Sequence, residues 1–125
     1  MSLSRVIVCL LACLTAAGTA VAQETHPFSV HDMLAMERIS GAQVSPDGAW
    51  VAFTVRTTDL EANRGRTDIW LADVDGDNVR RLTTHEAGDW SPHWCLNGKL
   101  FFLSTRSGSS QIWQIDPQGG DGARP

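Results

Sequence analysis

The chain has 125 residues, a formal charge of −4, and 42% hydrophobic against 19% charged residues. That length holds one domain at most, and the balance excludes a disordered or collagen-like chain. Nine of the ten basic residues are Arg, and they cluster only at Arg64/Arg66 and Arg80/Arg81. No basic stripe results, which excludes the electrostatic footprint of a nucleic-acid binder.

The first 22 residues read as a secretory signal peptide. Arg5 supplies a positive start, Val6 to Ala17 an apolar stretch too short for a membrane span, and Ala20-Val21-Ala22 a small-x-small cleavage site. The competing readings are an N-terminal membrane anchor and lipidation at Cys13 in Leu10-Leu11-Ala12-Cys13, where Leu11 fits a lipobox poorly. Cleavage removes Cys9 and Cys13 and leaves one thiol, Cys95, so no internal disulfide can form. The mature chain is therefore expected to be secreted or periplasmic, without a stable membrane span.

Residues 23–41 are expected to be a polar lead-in and a short capped helix. Ser29 is the N-cap, Asp32 completes a capping box, and Phe28 and Met33 can form a hydrophobic staple. Val30, Met33, Leu34 and Met36 supply an apolar stripe at helical spacing, and Gly41 ends the helix or the turn after it. His31 reads as a solvated first-turn residue rather than a ligand.

From Ala42 the period changes to two. Ala42 to Ser45 is a short strand, Pro46-Asp47-Gly48 a turn, and Trp50 to Arg56 a strand with two apolar faces. Val51, Phe53 and Val55 lie on one face, and Trp50, Ala52 and Thr54 on the other. Thr57 to Thr67 reads as a long polar hairpin loop, Asp68 to Val74 as the third strand and Asp75-Gly76-Asp77-Asn78 as a turn. Val79 to Thr83 is the fourth, outer strand, and Thr84 to Pro92 reads as a linker.

A second copy follows. Gly48 matches Gly98 at a spacing of 50, and Trp70 matches Trp113 at a spacing of 43. The shorter second spacing reflects a shorter hairpin in the second copy. Cys95-Leu96-Asn97-Gly98 replaces Ser45-Pro46-Asp47-Gly48, which weakens the turn but keeps its Gly. Gln114-Ile115-Asp116 finishes a third strand, and the Gly- and Pro-rich stretch from Pro117 is expected to stop short of a fourth.

Four short strands repeated every 40–50 residues mark a propeller blade. The expected fold is all-β: an incomplete β-propeller of one full blade, about 42–90, and most of a second, about 91–125, after a short N-terminal helix. Blades need neighbours on both faces. A ring of six needs roughly 250 residues, so the chain reads as part of a larger protein and as marginally stable alone.

These residues resemble a known family. Ser45-Pro46-Asp47-Gly48, Asp68-Ile69-Trp70 and Arg81-Leu82-Thr83 resemble the TolB-like propeller repeat. The lead-in Phe28 to Leu34, with Arg38-Ile39-Ser40, is similar to the start of secreted prolyl oligopeptidase family serine peptidases of the acylaminoacyl-peptidase and dipeptidyl-peptidase type. That resemblance implies a propeller gating a hydrolase domain with a Ser-His-Asp triad, acting on peptides or on acylated and dipeptidyl N-termini. No triad position falls in this chain, so no catalytic residue is assigned and the chain alone is expected to be inactive. The alternative is a non-enzymatic TolB-like periplasmic propeller that binds protein partners.

Other candidates reduce to structure. Gly108-Ser109-Ser110 lacks the second Gly of a nucleophile elbow and reads as a hairpin turn. Asp73, Asp75 and Asp77 lack the remaining ligands of a calcium loop, and His85, Glu86, Asp89 and His93 lack zincin spacing. No metal or cofactor is expected. Trp90 and Trp94 around Pro92 could line a ligand mouth, and Glu61 in the long hairpin could meet a substrate amine.

Overall fold

A computed structural model describes residues 26–119 and 122–125. The stretch read as a signal peptide, residues 1–22, lies outside the described residues. Helix α1 (Val30–Ala35) is followed by seven strands: β1 (Arg38–Val44), β2 (Trp50–Asp59), β3 (Arg64–Asp73), β4 (Arg80–Arg81), β5 (Asp89–Trp94), β6 (Leu100–Ser104) and β7 (Gln111–Ile115). They form two antiparallel sheets, ordered β1-β2-β3-β4 and β5-β6-β7. Each sheet is a meander of sequence neighbours, the pattern of a propeller blade.

The capping box forms on both sides. Asp32 N donates to Ser29 Oγ at 3.3 Å, and Ser29 N donates to Asp32 Oδ2 at 2.7 Å. The helix stops sooner than expected, at Ala35, and none of its residues is buried. Phe28 and Met33 stay 70% and 44% exposed, and only Leu34 of the apolar stripe is half-buried, so the stripe is poorly covered among the described residues. Gly41 does not end the helix. It sits inside β1 with φ +63°, at a bulge between Ser40 and Gln43 where the register shifts. A turn glycine and a bulge glycine share the same positive φ, so the residue type alone could not separate them.

Further boundaries differ from expectation: β1 begins at Arg38, four residues before the expected Ala42 and inside the stretch read as lead-in and helix. The stretch read as a hairpin loop is mostly ladder, which runs to Asp59↔Arg64 and leaves only Leu60 to Asn63 as the turn. Backbone pairing holds these polar residues without an apolar pattern. The stretch read as a linker contains the first four residues of β5, whose Pro92 is buried beside a second bulge between Trp90 and His93. A proline is tolerated in a strand at such an irregularity.

The core lies between the sheets. Ala52, Ile69, Leu71 and Leu82 from the first meet Leu100, Phe102 and Ile115 from the second, with Trp50, Trp94 and Trp113 at the margin. Each fully buried large side chain contributes roughly 1.5–3 kcal/mol. β5 packs against β1, β2 and β3 and forms the near edge of the second sheet. A fourth strand does begin on that sheet. Gln114 and Arg124 exchange backbone hydrogen bonds of 2.7 and 2.9 Å. Trp70↔Arg81 and Leu71↔Arg80 are the matching pairs in the first sheet. Gly and Pro before it delay that pairing but do not prevent it.

Candidate functional site

The two β-turns that open the hairpins face each other across the sheet boundary. In the first, Gly48 N donates to Ser45 O at 2.9 Å and Ser45 N to Trp50 O at 2.8 Å. Gly48 takes φ +73°, which the turn requires. Ser45 Oγ donates to Asp47 Oδ1 and accepts from Trp50 N, while Ala49 N donates to Asp47 Oδ1 at 3.1 Å. These bonds, the Ser45 hydroxyl first and the Ala49 amide second, hold the Asp47 carboxyl below its usual range.

The second turn keeps two of these bonds with different residues and closes one residue earlier, without the two bonds of the Ser45 hydroxyl. Gly98 N donates to Cys95 O at 3.0 Å, Cys95 N to Lys99 O at 2.9 Å, and Lys99 N to Asn97 Oδ1 at 3.1 Å. Asn97 thus does the work of Asp47, and the replaced residues preserve the turn. Between these turns and the Asp116-Pro117-Gln118 turn lies a cleft of about 640 Å³, walled by Trp50 and Trp94 and carrying Asp47, Lys99 and Asp116. Two cross-links fix its walls: Trp94 Nε1 donates to Gln43 O at 3.0 Å, and the Arg80 guanidinium donates to Pro117 O.

At the opposite end of the second sheet, Arg106 is buried in an ion pair. Its Nη2 donates to Asp89 Oδ2 at 2.7 Å, and its Nε to Ser104 Oγ at 3.1 Å. The guanidinium lies 5.4 Å from the Phe102 ring centre and 5.1 Å from that of Trp113. Asp89 Oδ1 and Trp113 Nε1, both buried beside it, have no hydrogen-bond partner among the described residues. In the first sheet, Asp68 plays a similar part, taking Arg66 Nε at 3.2 Å and Arg81 Nη2 at 2.8 Å. Arg66 Nη2 also donates to Thr84 O and His85 O, which ties down the connection between sheets.

The outer face of the second sheet is open. Cys95, Phe101, Leu103 and Ile112 line an apolar hollow of about 390 Å³, with Ser91 and His93 at its edge. Ile112 is 64% exposed.

Of the residues singled out by sequence, Trp94 lines the cleft and Trp90 does not. Glu61 is exposed at the tip of the β2–β3 hairpin, away from any cluster. Gly108 sits in the β6–β7 turn at φ +94°, with its N donating to Thr105 O at 2.8 Å. His85 Nδ1 accepts from Ala87 N, Asp89 faces Arg106, and His93 is exposed, so this group does not converge. Among the described residues, no three His, Cys, Asp or Glu side chains are placed to hold a metal. No helix of the described residues is long and apolar enough to cross a membrane. Sequence reading missed Lys99, Asp116 and the Asp89–Arg106 pair. The sheet pairing that unites them was their only signal.

The two meanders packed face to face have the architecture of adjacent β-propeller blades. Among solved structures, a TolB-like protein from Agrobacterium tumefaciens superposes with a TM-score of 0.54 at 29% identity, over 70% of this chain and 32% of its own. The AtxE2 isopeptidase superposes with a TM-score of 0.68 at 21% identity, over 82% and 20%, a likeness of fold alone.

No family model matches the chain. Among curated proteins it is similar to dipeptidyl-peptidase 5 of Porphyromonas endodontalis, 31% identical over 90 residues, 71% of this chain and 13% of that protein. The corresponding protein of Porphyromonas gingivalis is 28% identical over 80 residues, 63% of this chain and 12% of that protein. The Tol-Pal system protein TolB of Anaeromyxobacter dehalogenans is 41% identical over 54 residues, 43% of this chain and 11% of that protein. The chain thus spans about an eighth of the length of the dipeptidyl-peptidases it matches.

Proposed function

We propose that the chain supplies the first two blades of an exported propeller that gates a serine-peptidase hydrolase domain in a longer protein. The substrates on this reading are peptides or acylated and dipeptidyl N-termini. The observation that carries it is the similarity to two dipeptidyl-peptidases 5 across most of the chain and only an eighth of their length. The open face of the second sheet supports the same reading. Phe101, Leu103 and Ile112 form a surface of the kind that a further blade covers. The capped lead-in helix accords with a peptidase start, and the leader with export.

A second reading, a propeller that binds protein partners without catalysis, is favoured by the higher identity to TolB over a shorter stretch. Fluorophosphonate labelling and dipeptidyl-p-nitroanilide hydrolysis separate the two. The full secreted product is expected to be labelled at a serine in a Gly-x-Ser-x-Gly elbow beyond the propeller, and the 125-residue chain alone is not. A full product that is neither labelled nor active, and that recovers a protein partner, supports the binder. Labelling of the 125-residue chain itself contradicts both.

A further inference from the structure

We propose that the cleft between the two hairpin turns is a docking site for an extended peptide that presents an Arg or Lys beside an apolar side chain. This stands whether or not a hydrolase domain accompanies the propeller. The cleft, at about 640 Å³, falls in the range of ligand pockets. Its walls are set before any ligand arrives, through Trp94 to Gln43 on one side and Arg80 to Pro117 on the other. Preorganised walls reduce the ordering cost of binding.

The lining chooses the partner. Asp47 and Asp116 outnumber Lys99. Each carboxylate commits Oδ1 to its own turn, at Ala49 N and Gln118 N, and keeps Oδ2 for a cation. Trp50 and Trp94 line the same cleft, and an aromatic ring is a favourable neighbour for a cation.

Leu96 is an independent observation. It is 97% exposed on the lip of the cleft, where the first turn carries Pro46. That turn position accepts most residues and favours Pro. The turn therefore gains nothing from leucine, whereas a peptide side chain laid across the lip does.

The test uses fluorescently labelled Ac-Ala-Arg-Leu-Ala-amide and its Glu counterpart on the full secreted product, with the dispersed indole NMR signals of Trp50 and Trp94 as the fold control. The Arg peptide is expected to shift both signals and to bind about tenfold more tightly than the Glu peptide. Asp47→Asn should remove most of that preference while keeping the turn, since Asn97 holds the equivalent turn. Leu96→Pro, which restores the first turn's sequence, should weaken both peptides equally. Equal affinity for the two peptides, no binding of either, or full affinity in both variants overturns the proposal.

Discussion

The two sheets are built on one plan, and they spend their charged residues differently. A spacing of 50 makes Arg56 the counterpart of Arg106. Arg56 is exposed and lies over Gly65, where a Cβ would meet its Nη2 at 2.6 Å. Arg106 is buried against Asp89, with side-chain exposures of 7% and 0%. In the first sheet the buried carboxylate is instead Asp68, on the strand after the hairpin, and it is shared by two half-exposed arginines. The same backbone thus tolerates a solvated arginine in one copy and depends on a desolvated one in the other. The blade plan fixes turns and apolar faces, while each copy chooses its own polar lock.

The sharpest way to break this comparison is to remove one partner of the buried pair. Asp89→Ala should cost about 3–5 kcal/mol, because it takes the carboxylate from a buried guanidinium. Arg56→Ala in the other copy should change stability by no more than about 0.5 kcal/mol. Urea denaturation in sucrose, which strengthens a marginal chain, measures both, and equal effects would erase the distinction.

The second sheet can be set against itself. Phe102→Ala, in the face between the sheets, should cost about 3–5 kcal/mol. Ile112→Ala, on the open face, should fall within about 0.5 kcal/mol in the same assay. A smaller effect follows from Trp94→Phe, which deletes the bond to Gln43 O and should cost about 1 kcal/mol.

The smallest contrast lies in the turns. Asp47 is held below the usual carboxylate range by the Ser45 and Ala49 bonds. Its contribution is therefore present above the unfolded-state pKa and fades as pH falls through the lower, folded value. The Ala49 amide NMR signal should move as acid is added. The Lys99 amide, bonded to neutral Asn97, should stay still over that range.

Turn chemistry and alternation made the architecture legible in the sequence. Ser45 to Gly48 and the two faces of Trp50 to Thr54 fold as read, while the turn read at Asp75 to Asn78 closes two residues earlier, from Asp73 to Gly76. What stayed hidden was held by pairing rather than pattern. The polar ladder from Thr57 to Arg66 has no apolar period, and β5 carries a proline and two departures from alternation. The cleft unites turns 50 residues apart and a third turn beyond them, and nothing local links Asp47 to Asp116. Asp89 and Arg106 meet only because Asp89 pairs with Ser104 across the sheet.

The central claim is that these are adjacent blades whose outer faces require further neighbours. A thermal scan of the purified 125-residue chain, run at several concentrations beside its elution volume, tests it most directly. The account predicts a broad, concentration-dependent transition and elution ahead of the monomer position. A sharp, reversible transition with monomeric elution would contradict it.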